Sequence, residues 1–518
     1  MSSVAPLNAC DGHPRYPSQK GVTGNDPPVT QNGAVFIGGD SGVAVTSAPR
    51  VTRARVRKGL LVTLERPLAA WGLNPTPPQV EAISRLATRG DVLAIQPTGT
   101  GKSLAAQAVT ATRRDLRLRT TLALGPLIAL AADQDRRAEK LGLSSAMWHG
   151  KIKGAVKHEI LQRLEADDLD ILFTTPESLS GTLGRLATGC FGLVWVDEGH
   201  VAISAKHFRE AWARCGEIVN AVNPVVRYCC TATCRRFQHQ EIIERCGLRD
   251  PLIIRVPPGR PELRYVHVQR DVDTICDVVR RHRGQRVLVY VATRRLADDL
   301  HAQLECYGYR AGCYHGGMAG KARAAAQEAF GAGRINIIVA TDAFGLGVDY
   351  PDIRAVVLYD PASDVSAFVQ QAGRAGRDGN EAVIYICSAE AEDGWTSRAY
   401  LVQSTFPPIE HICAVWTFLD GQSGPRHIAA AARGCEMKND ETSACVHWLA
   451  RKQLIVSERD PADRRRLLYR VSGDFERAKW DDFRAERADA VAALDELRAM
   501  WRLPGDDIPA AITAAFER

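Results

Sequence analysis

VLAIQPTGTGKSLAAQAV, from Val92 to Val109, is the stretch that decides the fold. An apolar run leads into the glycine-rich loop PTGTGKS (Pro97 to Ser103), and a helical pattern follows at once. This is the order that a phosphate-binding loop requires. Gly99 and Gly101 let backbone amides approach phosphate oxygens, and the helix N-terminus adds a favourable field. The stretch therefore predicts a nucleotide-phosphate site at the end of a buried strand in an α/β domain.

The charged and hydroxyl groups of this loop predict its ligands. Lys102 is expected to neutralise the β- and γ-phosphates, and the Ser103 hydroxyl is expected to bind Mg²⁺. ATP and Mg²⁺ are therefore the expected cofactors. The predicted phosphate-binding positions are Thr98, Gly99, Thr100, Gly101, Lys102 and Ser103. Gln96 stands where the first glycine of the fuller pattern is usual, so the loop alone leaves a chance match open.

VWVDEGH (Val194 to His200) supplies a pair of adjacent carboxylates. An apolar run that ends in two acids is typical of a strand that points its last residues at a metal-bound phosphate. Asp197 is predicted to hold Mg²⁺, and Glu198 to orient and deprotonate the attacking water. The alternative is an acidic surface turn, which the apolar residues before it disfavour.

QQAGRAGRDG (Gln370 to Gly379) lies far along the chain from the loop and carries Arg374 and Arg377. The two arginines are three positions apart, so on a helix they share one face. Guanidinium groups suit the charge that spreads over a transferring phosphoryl group. We predict that both are arginine fingers and that two domains close over one ATP; the alternative is an ordinary basic helix.

Composition allows a soluble chain of two to four domains, with 518 residues, 45% hydrophobic and 24% charged. A net charge of +6 is modest, so any nucleic-acid surface must come from local clustering. There is no signal sequence and no apolar run of about 18 residues, which predicts a cytoplasmic protein without membrane spans. None of the 14 cysteines falls in a Cys-x-x-Cys pair, so reduced thiols are expected.

Apolar runs alternate with helical patterns in two consecutive series, which predicts two α/β lobes joined by the hinge VPPGRPEL (Val256 to Leu263). The expected strands are DVLAIQ, TLALGP, DILFTT, GLVWVDE and VVRYCCTAT, then RVLVYVA, INIIVAT, AVVLYD and AVIYIC. The predicted domains are a disordered arm (1–50), lobe 1 (51–257), lobe 2 (258–404), a winged-helix-like domain (405–473) and a C-terminal helical tail (474–518).

The winged-helix prediction depends on three helical stretches followed by a strand-turn-strand, LIVSERDPADRRRLLYRVS (Leu454 to Ser472). Arg464, Arg465 and Arg466 crowd the turn of that hairpin. Clustered arginines on a wing favour phosphate contacts that hold a duplex without reading its sequence. A solvated basic turn is the alternative.

Together the motifs resemble the RecQ family of superfamily 2 DNA helicases over residues 70 to 390. DEGH resembles the DEAH box, TAT (Thr231 to Thr233) the coupling triplet, and AFGLGVD and GRAGRDG two highly specific later motifs. The resemblance implies tandem RecA-like lobes, ATP-driven 3′–5′ translocation on single-stranded DNA, and duplex unwinding. It implies that Gln79 reads adenine. It also implies coupling or DNA-contact roles for His200, His207, Phe208, Arg209, Thr231, Thr233, Thr341, Asp349 and Gln370.

The sequence departs from the family in four places. The aromatic-rich loop after the DEAH box is altered in HVAISAKHFREAW (His200 to Trp212), although Phe208 could still stack on a base. Thr76 stands where arginine is usual, and Gly199 replaces the alanine of the box. The four-cysteine zinc module is missing, so no zinc is expected. Two alternatives follow: an ATPase or translocase that remodels protein–DNA complexes without unwinding, and a DNA-binding scaffold for which ATP is a conformational ligand.

Overall fold

The computed structural model describes residues 66–179, 189–204, 209–345, 350–388, 393–463, 466–473, 475 and 480–518. Some of the predictions above fall outside these described residues. They are the N-terminal arm, three of the DNA-contact or coupling positions (His207, Phe208 and Asp349) and two of the wing arginines (Arg464 and Arg465).

Lobe 1 is built on a seven-stranded parallel sheet with the order β3-β4-β2-β5-β6-β1-β7. Its strands are β1 (Val92–Ile95), β2 (Thr120–Leu124), β3 (Ser145–Met147), β4 (Ile171–Thr174), β5 (Phe191–Asp197), β6 (Val226–Thr231) and β7 (Leu252–Arg255). Its helices are α1 (Pro77–Ala87), α2 (Ser103–Ala111), α3 (Ile128–Lys140), α4 (Gly154–Glu165), α5 (Pro176–Leu179), α6 (Val201–Ser204), α7 (Glu210–Ala213), α8 (Cys215–Val222) and α9 (His239–Arg245). Apolar clusters cover both faces of the sheet.

Lobe 2 repeats this plan with a six-stranded parallel sheet of order β10-β11-β9-β12-β13-β8. Its strands are β8 (Leu263–Gln269), β9 (Arg286–Tyr290), β10 (Ala311–Tyr314), β11 (Ile337–Ala340), β12 (Ile353–Leu358) and β13 (Ala382–Ser388). Its helices are α10 (Val272–Arg281), α11 (Arg294–Cys306), α12 (Gly320–Gly331), α13 (Val365–Ala372) and α14 (Asp393–Thr405). All nine strands expected from apolar runs are present, so the prediction of two α/β lobes is confirmed.

The register of lobe 1 brings the predicted motifs to one edge of the sheet. Asp197, at the end of β5, is paired with Cys230 on β6. Ile95, at the end of β1, is paired with Thr231 on β6. Because neighbouring parallel strands end at the same edge, the phosphate loop, DEGH and TAT leave the sheet side by side.

Beyond lobe 2 the chain forms helices α15 (Ile409–Asp420), α16 (Ile428–Gly434) and α17 (Asn439–Arg451) and an antiparallel sheet of order β14-β16-β15. The strands are β14 (Arg426–His427), β15 (Ile455–Arg459) and β16 (Leu467–Val471). The helices and the hairpin lie where the sequence predicted them. The identification as a winged helix stays a prediction, as do the domain boundaries.

The C-terminal region is less tail-like than the sequence suggested. It forms α18 (Trp480–Trp501) and α19 (Ile508–Glu517). Trp501, Ile512 and Phe516 are buried in the same apolar cluster as Phe368 of α13. The Trp501 indole N–H also donates to the Cys387 carbonyl of β13 at 3.1 Å. These two helices therefore complete one face of lobe 2.

Candidate nucleotide site between the two lobes

The phosphate loop has the backbone shape that its glycines predict. Gly99 and Gly101 have φ angles of +83° and +73°, in the left-handed region that favours glycine. Helix α2 begins at Ser103, directly after the loop. The Lys102 ammonium donates to the Gln96 and Pro97 carbonyls, each at 3.2 Å. The loop is thus folded around its own lysine, with the helix N-terminus behind it.

Gln79 lies against the loop through its side-chain amide. Its Nε2 donates to the Thr100 carbonyl at 2.8 Å and the Gly101 carbonyl at 3.1 Å. Its Oε1 accepts the Thr76 amide N–H at 2.7 Å, and Gln79 is only 6% exposed. The predicted base-reading residue is therefore beside the nucleotide loop and is held there by backbone groups.

Two residues that the sequence analysis did not single out support Lys102 and Ser103. Gln134 on α3 donates to Ser103 Oγ at 3.1 Å. The Tyr228 hydroxyl on β6 donates to the Lys102 carbonyl at 2.7 Å. Gln134 ends the segment GPLIALAADQ, which was quoted only as part of the family resemblance, whereas nothing in the local sequence pointed to Tyr228.

The two adjacent carboxylates have different electrostatic surroundings. Asp197 Oδ1 accepts the Cys230 thiol at 3.2 Å and the Glu198 amide at 3.1 Å. Burial, with the negative charge of Glu198, raises the pKa of Asp197 to about 6. A buried acid with a raised pKa gains from a cation beside it, which fits the predicted Mg²⁺ role.

Glu198 has an unusual backbone, with a φ angle of +53° in the left-handed region. A non-glycine residue is held there only when its surroundings require it. Burial alone would raise the pKa of Glu198, but the hydrogen bond with His200 and the positive charges of Lys102 and Arg374 outweigh it and lower the pKa to about 2. Glu198 is therefore the more acidic member of the pair.

The arginines reach this site from a different local structure than the sequence predicted. Helix α13 ends at Ala372, so Arg374 and Arg377 lie in the turn that follows it and share no helical face. The expectation of a continued helix was wrong because Gly376, with a φ angle of +58° in the left-handed region, lets the chain turn away. Arg374 is 8% exposed and its charge lowers the Glu198 pKa. The helix itself is fixed by Asp364, which caps its N-terminus by accepting the Ala367 amide at 2.8 Å.

The two lobes touch at the phosphate loop. The Thr98 hydroxyl donates to the Gly373 carbonyl at 3.1 Å. Arg377 packs close enough that a Cβ built on Gly99 would lie 3.4 Å from its Cγ. Arg260 donates to the Thr98 carbonyl at 3.2 Å. It also donates to the Ala375 and Gly376 carbonyls at 3.1 and 2.8 Å. Arg260 therefore joins the loop to the arginine turn, a role that its place in the hinge did not reveal.

A polar chain leads from Glu198 to lobe 2. His200 Nδ1 lies 3.3 Å from Glu198 Oε2 and 2.9 Å from Thr231 Oγ1. Gln370 Nε2 lies 3.4 Å from His200 Nε2 and donates to Thr233 Oγ1 at 3.3 Å. The structure thus brings four of the predicted coupling residues together with the carboxylate.

Three other predicted residues lie elsewhere. The Thr341 amide donates to the Tyr314 carbonyl at 3.2 Å, at the strand ends of lobe 2. Arg209 Nε donates to Glu177 Oε1 at 2.7 Å. Arg466 is 62% exposed in the β15–β16 turn, with its Nε 3.3 Å from Asp463 Oδ2. None of these distances tests a role in DNA contact, which stays a prediction for all three.

A cluster of three potential metal ligands lies in lobe 2, away from the phosphate loop. The ligand atoms of Asp298, Cys313 and His315 all lie within 4.8 Å of one another. His315 Nδ1 accepts the Gly317 amide at 3.1 Å, which leaves Nε2 to donate to Asp298 Oδ1 at 3.0 Å. Both imidazole nitrogens are thereby used by the protein, so the cluster forms a hydrogen-bonded group.

Among the residues that the structure describes, no helix is both long and apolar enough to cross a membrane.

Family models match the region that carries this site. The model described as DEAD/DEAH box helicase matches residues 76–241, and the helicase conserved C-terminal domain matches residues 270–379. The chain therefore contains two domains that match those of a DEAD/DEAH box helicase. The first match contains the phosphate loop, and the second contains the turn with Arg374 and Arg377. Both matches support the family that the motifs predicted.

Curated relatives of this chain include several RecQ DNA helicases, so the predicted resemblance is confirmed. RecQ of Synechocystis sp. is 32% identical over 318 residues, which cover 58% of this chain and 65% of that protein. SGS1 of Saccharomyces cerevisiae is 28% identical over 59% of this chain and 22% of its own length. RecQ of Bacillus subtilis is 32% identical over 310 residues, which cover 58% of this chain and 51% of that protein. The matched region therefore spans less than two thirds of each of these relatives.

Solved structures of helicases share the fold of this chain. Lhr of Mycobacterium smegmatis, bound to single-stranded DNA and AMP-PNP, superposes with a TM-score of 0.53 and 20% identity, covering 79% of this chain and 60% of that chain. The DUF1998 helicase MrfA, bound to DNA and AMPPNP, superposes with a TM-score of 0.55 and 17% identity. This match covers 80% of this chain and 62% of that chain. These likenesses confirm two tandem RecA-like lobes.

Proposed function

We propose that this chain is an ATP-dependent DNA helicase of the RecQ type. It couples ATP hydrolysis between its lobes to 3′–5′ translocation on single-stranded DNA and to duplex unwinding. The observation that carries the proposal is the meeting of two sets of groups at one loop. Lys102, Asp197 and Glu198 come from lobe 1, and the Arg374–Arg377 turn comes from lobe 2, with Thr98 bonded to Gly373 at 3.1 Å.

The residues at the loop fit ATP and Mg²⁺. Glu198 Oε2 is buried and lies 3.3 Å from His200 Nδ1, which leaves the carboxylate further acceptor capacity for a water molecule. The Ser103 hydroxyl and Asp197 offer oxygen atoms, the ligands that Mg²⁺ prefers. When bound there, Mg²⁺ would neutralise charge on the phosphates. We further propose that the protein uses no zinc, because its C-terminal cysteines lack the spacing of a structural site.

Each charged group in the site has a distinct role in this proposal. Lys102 binds the phosphates, and the helix N-terminus behind it adds a favourable field. Glu198, ionised because its pKa is lowered to about 2, orients a water molecule and accepts its proton. Arg374 stabilises the charge that develops on the transferring phosphoryl group. Because that arginine belongs to lobe 2, hydrolysis requires the lobes to be together, which links the chemistry to lobe movement.

DNA is the proposed partner, and the cytoplasm the proposed location. The RecQ relatives are named DNA helicases, and the Lhr and MrfA structures have DNA bound. A motor of this kind grips the sugar-phosphate backbone, so binding is expected to be independent of sequence and sensitive to salt. The arginine-rich turn that contains Arg466 is proposed to hold the duplex while the lobes move along one strand.

A second candidate function is supported by the segment after the DEGH motif. Trp212 is fully buried in the core of lobe 1. Arg209 is paired with Glu177, its guanidinium lying 5.7 Å from the centre of the Trp212 ring. These side chains are engaged within the protein, which favours a DNA-stimulated ATPase or translocase that remodels protein–DNA complexes without unwinding.

The test measures ATP turnover and strand displacement on the same preparation. Duplexes with a 3′ tail, with a 5′ tail and with blunt ends are compared, and turnover is measured with and without single-stranded DNA. A helicase is expected to displace the strand of the 3′-tailed duplex and not that of the 5′-tailed one. DNA-stimulated turnover without displacement would instead select the second candidate.

Two variants test the site itself. Lys102→Ala is expected to lower turnover by at least about 100-fold, because it removes the charge that binds the phosphates. Glu198→Gln is expected to bind ATP as the parent does while turnover falls by about 100-fold or more. Full turnover in Lys102→Ala would overturn the assignment of the site, and unchanged turnover in Glu198→Gln would exclude its proposed role.

A further inference from the structure

Gly199, the third residue of the DEGH motif, lies directly over Cys229 of the neighbouring strand β6. A Cβ built on Gly199 would lie 2.3 Å from Cys229 Sγ. It would lie 3.6 Å from Cys246 Sγ, an ordinary contact distance. Protein interiors are packed closely enough that such an overlap cannot be absorbed without movement. The thiol of Cys229 therefore fills the space that a side chain at position 199 would need.

The glycine is required here by space and not by backbone conformation. The φ angle of Gly199 lies outside the left-handed region, so other residues could adopt it. The left-handed residue is its neighbour Glu198, with a φ of +53°. The strained residue and the glycine of the motif are therefore adjacent. The missing Cβ at Gly199 allows the DEGH segment to approach β6 closely.

The close approach fixes three consecutive contacts between the motif and β6. The Gly199 amide donates to the Cys230 carbonyl at 3.0 Å. Asp197 accepts the Cys230 thiol at 3.2 Å, and His200 Nδ1 lies 2.9 Å from Thr231 Oγ1. Glu198 lies between these anchored neighbours. A backbone shift at Gly199 would move the Glu198 carboxylate and the His200 ring together.

We propose that Gly199 and Cys229 are a matched pair of positioning residues that sets the distance between the DEGH segment and β6, and thereby the place of Glu198 in the site. The inference rests on the proposed ATPase function. Both residues act through Glu198 and His200. A displacement of about 1 Å at a reacting group is enough to lower a rate by about 100-fold.

The test is a double-mutant cycle on the full chain. Gly199→Ala is expected to lower the kcat of ATP turnover by about 10- to 100-fold with less than about a twofold change in the dissociation constant for ATP, because the phosphate loop is untouched. Adding Cys229→Ala removes the overlapping thiol and is expected to restore kcat to within about threefold of the parent. Adding Cys246→Ala instead removes a thiol that lies beside Cys229 but at an ordinary contact distance from position 199, and is expected to restore less.

A second variant keeps the proposal testable should Gly199→Ala fail to fold. Cys229→Leu enlarges the side chain beneath an intact Gly199 and is expected to lower kcat in the same way, whereas Cys229→Ser, which keeps the volume, is expected to lower it far less. Equal rescue by Cys229→Ala and Cys246→Ala, or a loss in Gly199→Ala that appears only in ATP binding, would overturn the proposal.

Thermal unfolding of the same proteins separates this proposal from the proposed function. Cys229→Ala is expected to raise the unfolding midpoint of Gly199→Ala and to lower that of the parent, which needs no ATPase activity to be seen. Absence of turnover in the parent would contradict the proposed function alone. Absence of coupling in the unfolding midpoints would contradict the matched pair alone.

Discussion

The two lobes meet in two regions that differ in chemistry. At the phosphate loop the contacts are a hydroxyl, backbone carbonyls and Arg260, in the same region that carries the proposed nucleotide-binding groups. At the C-terminus the contacts are ion pairs between arginines of lobe 1 and glutamates of α18 and α19. Because the first region contains the groups that would bind nucleotide, it is expected to change during turnover. The second contains no nucleotide-binding group and can persist.

The C-terminal helices pack on the core of lobe 2, and their charged groups pair with arginines of lobe 1. Arg236 Nη2 lies 2.8 Å from Glu517 Oε2, and the Arg236 amide donates to the Arg518 carbonyl at 3.1 Å. Arg255 Nε lies 3.3 Å from Glu517 Oε1, and Arg235 pairs with Glu496. Arg235 and Arg236 follow the TAT triplet by only two and three residues. The segment that contacts His200 and Gln370 is therefore continuous with the segment that contacts the C-terminus.

The largest effect is expected in the nucleotide region, where Arg374→Ala should lower the rate of ATP turnover. An arginine that stabilises phosphoryl transfer typically raises kcat by about 10³- to 10⁵-fold, so turnover should become barely measurable while ATP still binds. Arg374→Lys should restore little of it, because an ammonium lacks the planar guanidinium group. The measurement is single-turnover hydrolysis beside nucleotide binding. Arg334→Ala, an exposed arginine of lobe 2, is the control; equal losses in both variants would contradict a specific role for Arg374.

A smaller effect is expected at Gln370, which joins the two lobes beside His200. Gln370→Ala removes its contacts with His200 and Thr233 and should lower DNA-stimulated turnover by about 5- to 10-fold, more than it lowers basal turnover. The measurement is the ratio of the two rates at saturating ATP and DNA. Gln303→Ala, an exposed glutamine on α11, is expected to leave the ratio at its parental value. An unchanged ratio in Gln370→Ala would remove it from the coupling path.

The strands predicted from the sequence were those in the middle of the two sheets. A central parallel strand is covered on both faces, so it is a continuous apolar run, as in VLAI of β1. The four strands that were not predicted, β3, β7, β8 and β10, are the edges of their sheets. Two of them, β3 and β8, are partly exposed and carry mixed residues, so no apolar run marks them.

The residues of the candidate site likewise divide into those that the sequence could predict and those that it could not. Asp197 and Glu198 could be predicted because they end and follow a strand that the sequence reveals, and Lys102 because it lies in the glycine-rich loop between such a strand and a helix. Arg374 and Arg377 could be predicted by motif, but the sequence indicated a helix where the chain turns. Arg260 and Tyr228 act through contacts with residues more than 100 positions away, and no local pattern records such a pairing.

The smallest effect is expected at the C-terminal region, for Glu496→Gln. Its carboxylate pairs with Arg235 and Arg518, and it is 19% exposed. Loss of that charge should lower the free energy of unfolding by about 1 to 2 kcal/mol at low salt, and by less when salt screens the pair. Urea unfolding at two NaCl concentrations measures it. Glu328→Gln, which breaks an exposed pair with Arg334, should change the value by less than about 0.5 kcal/mol. If the two variants behave alike, the ion pairs of Glu496 do not stabilise the contact between lobe 1 and the C-terminal helices.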